Sequence, residues 1–177
     1  MTKTYRTLIP ILTLAIILGL AAIFYYINEE KQATEQRAMA SLNQGISLFR
    51  EKNYAQALEV FQGIPEGVLT DWHFPYYTAT AHTMLKDYES AAPLLEEALA
   101  LAPQKTEILF ELGVVYFKLG NLALSKAYFQ AVVDLDPSNE EAIGLRDIMA
   151  NLEKQQPGAS QEDTETGPES EESTQQQ

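Results

Sequence analysis

The chain has 177 residues, 46% of them hydrophobic and 21% charged, and its 25 acidic against 12 basic residues leave a formal net charge of -13. That length allows one modest core, and the acidic balance repels phosphate backbones, which argues against a nucleic-acid partner. Cysteine is absent, so disulfide staples, thiolate zinc sites and a cysteine nucleophile are excluded while the redox compartment stays open.

The first element is the run LIPILTLAIILGLAAIFYYI from Leu8 to Ile27, in which Thr13 is the only hydrogen-bonding side chain ahead of the closing tyrosines. About 20 residues at a rise of 1.5 Å make roughly 30 Å of helix, the thickness of a hydrocarbon core. Residues 8–27 are therefore read as a transmembrane anchor. Residues 1–7 carry Lys3, Arg6 and the amino terminus, whereas Asn28, Glu29 and Glu30 follow the run. The positive-inside asymmetry then places residues 1–7 in the cytoplasm and the remainder in the periplasm or another extracytoplasmic space, on a bacterial-type inner membrane. A signal peptide cut after Ala21 is the rival reading, because Gly19 and Ala21 suit a peptidase; the apolar run continues past that cut through Tyr26, which favours an uncleaved anchor. No proline or glycine separates Ile27 from Gln44, so nothing stops the anchor helix from running through a helical connector at 28–37 into the folded domain.

Beyond the connector the chain repeats itself. A shift of 34 residues superposes Gly45, Ala79 and Gly113; Ala57, Ala91 and Ser125; Phe61, Leu95 and Phe129; and Ile64, Ala98 and Val132. Loop-forming Asn53, Asp87 and Asn121 fall together as well, and Tyr54, Tyr88 and Leu122 follow them as expected core-facing anchors. Small residues at fixed spacing let two helix backbones approach, and a larger side chain there wedges them apart. These columns resemble the tetratricopeptide repeat, a helix-turn-helix unit, most clearly in ELGVVYFKLGN with Leu112, Gly113, Tyr116 and Gly120. Three units are expected, at 38–71, 72–105 and 106–139. Gly63 and Pro65 should shorten the second helix of the first unit, and the second unit departs from the pattern at Trp72, His73 and Pro75.

Ser138 with Glu141 makes a capping-box pattern ahead of a helix at 140–154. Its apolar stripe, Ala142, Leu145, Ile148, Met149 and Leu152, closes the open end of the array, with Glu140, Arg146, Asp147 and Glu153 expected outward. Residues 155–177 hold six acids, no base and no aromatic or branched aliphatic residue, the composition of a disordered tail. The expected fold is all-α: an anchor helix, about three repeats forming a short superhelix, a capping helix and a disordered acidic tail.

No constellation suited to catalysis emerges. His73 and His82 are nine residues apart, without ligand or triad spacing. Glu96 with Glu97, and Glu140 with Glu141, diverge by about 100° on a helix and suit solvated faces. His82 shares a column with Leu48 and Tyr116, which points to packing. No catalytic, cofactor-binding or metal residue is assigned; the chain is read as a non-enzyme without cofactor or small-molecule substrate. The family resemblance implies that the first helix of each unit lines a concave groove. By register its residues are Leu42, Ile46 and Phe49 from the first unit, Tyr76, Thr80 and Thr83 from the second, and Phe110, Val114 and Phe117 from the third. Chaperone-binding members grip a C-terminal carboxylate with lysine and asparagine at these places, whereas Leu42, Ile46, Thr80, Phe110 and Val114 stand here. A groove of aromatic and apolar residues with few charges fits an apolar helix or extended segment of a protein partner. The competing expectation is that the membrane-proximal helix or the cap fills it. The implied role is scaffolding of an inner-membrane or envelope complex; the alternative is a periplasmic chaperone-like holder of unfolded or assembling segments near a secretion machine.

Overall fold

The computed structural model describes residues 3–155, with side chains from Thr13 onward; the expected cytoplasmic flank at Met1 and Thr2 and the acidic tail beyond Gln155 lie outside the described residues. Helix α1 (Lys3–Arg50) is followed by α2 (Tyr54–Gln62), α3 (His73–Met84), α4 (Tyr88–Leu101), α5 (Thr106–Lys118), α6 (Leu122–Leu135) and α7 (Glu140–Gln155), and no strand occurs among these residues.

Helix α1 runs unbroken for 48 residues, as the lack of helix breakers after Ile27 predicts. It is the one helix among the described residues long and apolar enough to cross a membrane. Its large apolar side chains from Leu14 to Ile27 stand 54–73% exposed. The same helix then changes character. Ala38 and Leu42 are buried in a cluster with Ala57, Phe61, Ile64 and Ala81, and Gly45 is buried against the Phe61 ring.

The 34-residue columns are the core. Gly45, Ala79 and Gly113 are buried, as are Ala57, Ala91 and Ser125, Phe61, Leu95 and Phe129, and Ile64, Ala98 and Val132. Each column is buried in all three units, so a buried position is built again one unit later. The turns repeat too. Lys52, Lys86 and Gly120, one per unit, take positive φ angles of 65°, 65° and 80°, the left-handed residue that ends a helix. The next residue in each unit donates its N–H back to the carbonyl of Leu48, His82 or Tyr116 at 2.9, 3.0 and 2.9 Å. Asp87 and Asn121 cap α4 and α6 by accepting the N–H groups of Ser90 and Leu124. Asn53 is not used in this way, and its amide donates to Glu51 instead.

The first unit closes early, as Gly63 and Pro65 predict: α2 has nine residues, against 14 in α4 and α6. Asp71 restarts the chain by accepting the N–H of His73 at 2.9 Å, and Pro75 falls in the first turn of α3, where its missing N–H has no intrahelical partner to lose.

The end of the array departs from expectation in three ways. Asn139, not Ser138, caps α7, its side-chain oxygen accepting the Ala142 N–H at 2.9 Å; the Ser138 hydroxyl turns back to donate to Asp136. Ile148 is 51% exposed while Ala142 and Met149 are buried, because a helix packed on one neighbour buries a narrower stripe than the pattern spans. Arg146 and Glu153, expected outward, lie against α6: Arg146 donates to Gln130 at 3.3 Å and Lys126 pairs with Glu153. Long charged side chains bury their stems beside an apolar seam while their heads reach partners.

Candidate functional site

Helices α1, α3 and α5 touch one another in sequence and form an inner layer, which carries all nine residues expected in the groove. The layer treats them differently. Leu42 and Thr80 are buried, at 4% and 5% exposure, and Thr80 spends its hydroxyl on the Tyr76 carbonyl at 2.8 Å. Both belong to the core and present no binding surface. Thr83 likewise donates to the Ala79 carbonyl at 3.1 Å. Phe49 is held edge-on by Tyr54 and Tyr77, with ring centroids 5.2 and 5.8 Å away. Ile46 and Val114 are half-buried. Phe117 is 39% exposed, with the Lys118 ammonium 5.5 Å above its ring.

Two of the expected rings come together. Tyr76 from α3 and Phe110 from α5 line one cavity of about 280 Å³, and its other walls are Thr106, Glu107 and Glu111 from α5 with Asn139 and Glu141 at the start of α7. Tyr76 is braced edge-on by Trp72 and Tyr77, at 5.6 and 5.4 Å, and Phe110 by the core ring Phe129 at 5.4 Å. Trp72 is in turn covered by the Lys105 ammonium, 4.9 Å from its ring, a contact that ties the start of α3 to the residue that precedes α5. The rings are therefore positioned before any ligand arrives.

This end of the groove is acidic, contrary to the expected scarcity of charge. Burial holds the Glu111 carboxyl above the usual carboxylate range, and no ion pair reaches it among the described residues. Burial, with Glu111 and Glu107 nearby, pushes the Tyr76 phenol up to about 12. A helical reading of α5 finds two of these acids, since positions 107, 110, 111 and 114 share one face. Glu141 has no such signal, because it reaches the cavity only through the way α7 packs.

Neither segment expected to fill the groove crosses it: α1 is itself the first inner helix, and α7 packs on α6. His82 behaves as a packing residue, its Nδ1 lying 2.8 Å from the Asp87 carboxylate within the turn. His73 stacks on Trp72. Among the described residues no three His, Asp or Glu side chains gather as a metal site.

A family model described as tetratricopeptide repeat matches residues 83–149. The chain carries a tetratricopeptide repeat over those residues and has a tetratricopeptide-like fold. Over 111 residues it is 33% identical to cell division cycle protein 27 homolog A of Arabidopsis thaliana, an alignment covering 61% of this chain and 15% of that protein. Its fold is similar to that of the first tetratricopeptide domain of Spaghetti (RPAP3) bound to an HSP90 peptide, with a TM-score of 0.63, 22% identity, and coverage of 68% of this chain and 95% of that one. The Yersinia enterocolitica type III secretion chaperone SycD, solved with a peptide of the translocator YopD, matches at a TM-score of 0.58 and 14% identity over 66% and 93% of the two chains. Helix α1 thus supplies both the apolar N-terminal stretch and, at its C-terminal end, the helix that packs on α2 and α3.

Proposed function

We propose that this chain is a non-enzymatic, membrane-anchored tetratricopeptide module that captures a segment of a protein partner in its inner-layer groove and so scaffolds an envelope complex at the inner membrane. The cavity between α3 and α5 carries the reading: two aromatic rings, each braced from behind, are open to a ligand side chain. Anchors of that kind dominate interface energetics. The structural neighbours that hold peptides, HSP90's in one case and YopD's in the other, support a peptide as the type of occupant. Membrane anchoring is supported by the exposed apolar face from Leu14 to Ile27, whose exposure to water is unfavourable by roughly 25 cal/mol per Å² of apolar surface. An unbroken helix then holds the groove within a few turns of the bilayer, so the partner is sought at the membrane surface.

Purification of the tagged full chain in mild detergent, beside its Tyr76→Ala and Phe117→Glu variants, tests this. A partner retained by the wild type should be lost from Tyr76→Ala, with helicity unchanged by circular dichroism. Retention of every partner by both folded variants would remove the groove from the account. External protease added to spheroplasts should degrade the repeat domain; protection until the membrane is breached would reverse the proposed orientation.

A further inference from the structure

The walls of the Tyr76–Phe110 cavity specify a charge. Glu107, Glu111 and Glu141 converge on it from two helices, and no lysine or arginine stands among the residues that line it. The basic groups nearest in sequence are engaged elsewhere: Lys105 lies over Trp72 and Arg146 is held by Asp147 and Gln130. A cavity lined by carboxylates and two aromatic rings suits a cation on an apolar stem, since guanidinium and ammonium groups stack on aromatic faces and pair with carboxylates. The same walls repel an acidic ligand. That rules against the chain's own C-terminal region as occupant, because residues 156–177 contain six acidic and no basic residues.

Resting on the reading of the inner layer as a peptide groove, we propose that its occupant is a cationic protein segment, one lysine or arginine of which enters the Tyr76–Phe110 cavity with its charge against Glu107, Glu111 and Glu141. Apolar residues beside that cation contact the rest of the inner layer, where Ile46, Val114 and Phe117 are accessible. The attraction of a paired cation offsets the penalty that burial places on the ionised Glu111 carboxyl, so cation binding and ionisation of this carboxyl favour each other.

The test uses the full chain in detergent micelles and three labelled short peptides that are identical except for one central residue, arginine, leucine or glutamate, between flanking leucines. Fluorescence anisotropy should rank arginine tightest and glutamate weakest. The near-isosteric changes Glu107→Gln and Glu111→Gln should each weaken the arginine peptide about tenfold, the loss expected for one charge-assisted hydrogen bond, and leave the leucine peptide as it was. An arginine preference that survives both changes would come from the general negative charge of the chain and would overturn the proposal. Equal binding of all three peptides, lost in Tyr76→Ala, would overturn the charge reading while leaving the groove in place. Binding indifferent to Tyr76→Ala would remove the groove itself. Displacement of the arginine peptide by a synthetic peptide of residues 156–177 would make the chain's own C-terminal region the ligand and overturn the proposal.

Discussion

In the third repeat Gly113 faces Phe129 across the contact of α5 with α6, and in the first repeat Gly45 faces Phe61 across that of α1 with α2. A methyl group built on Gly113 would stand 2.8 Å from the Phe129 ring, and one on Gly45 only 2.2 Å from that of Phe61. The third repeat adds a bond the first lacks: the buried Ser125 hydroxyl donates to the Gly113 carbonyl at 2.8 Å, whereas the corresponding residue opposite Gly45 is Ala57. It also ends its first helix at Gly120, where the first repeat forces Lys52 into the same left-handed turn. The two units thus reach one architecture from unequal materials. The first seats its phenylalanine ring closer to the glycine, lacks the turn glycine and the hydroxyl bond of the third, and ends in the break at Gly63 and Pro65 instead of a full second helix. Regular structure in an array depends on the contact between units as much as on any unit's own sequence.

That inequality can be tested by exchanging residues between the units, with urea or thermal unfolding of the full chain in detergent followed by circular dichroism. The largest difference is expected at the glycines. Alanine gains roughly 1 kcal/mol of helix propensity over glycine, but overpacking a filled core costs about 1–3 kcal/mol. Phe61 is fully buried and has nowhere to retreat, so Gly45→Ala should be clearly destabilising and Gly113→Ala less so. A larger loss at Gly113 would show that the third unit is the tighter one.

Ser125→Ala should cost about 1 kcal/mol, the net value of one hydrogen bond. The converse change Ala57→Ser places a hydroxyl at the equivalent position against the Gly45 carbonyl and should leave stability within about 1 kcal/mol of wild type. A heavy loss on Ala57→Ser would mean that the close approach at Gly45 leaves no room for the oxygen.

The turns carry the smallest effect. Lys52→Gly and Lys86→Gly should each stabilise by up to about 1 kcal/mol, since a left-handed conformation strains a residue with a Cβ atom. Gly120→Ala should destabilise by a similar amount. Unfolding midpoints that fall for Lys52→Gly would show that its side chain contributes more than the turn strain takes away.

The repeat was legible in the chain because each column describes a local environment rebuilt every 34 residues: a small residue where backbones meet, a large one beside it, a polar one at the turn. Gly45, Ala79 and Gly113 need no knowledge of the rest of the molecule to be read this way. The short α2 was legible for the same reason, since Gly63 and Pro65 act on their own backbone. The groove was legible only as a register. That register placed Tyr76, Phe110 and Phe117 on the inner layer, but not which residues sink into it, because burial of Leu42 and Thr80 depends on the rotation of α1 and α3 against their neighbours. The capping helix makes the same point. Asn139 takes the cap that Ser138 and Glu141 seemed to offer, and Arg146 and Glu153 bend onto α6. Sequence by itself determined the helices, their pairing and the apolar N-terminal stretch, since each follows from backbone propensity and a period within reach of neighbouring residues. Tertiary structure alone decided that Glu141 joins Glu107 and Glu111 around two aromatic rings, because the charge of a cavity is a sum over side chains that meet only when separate helices pack.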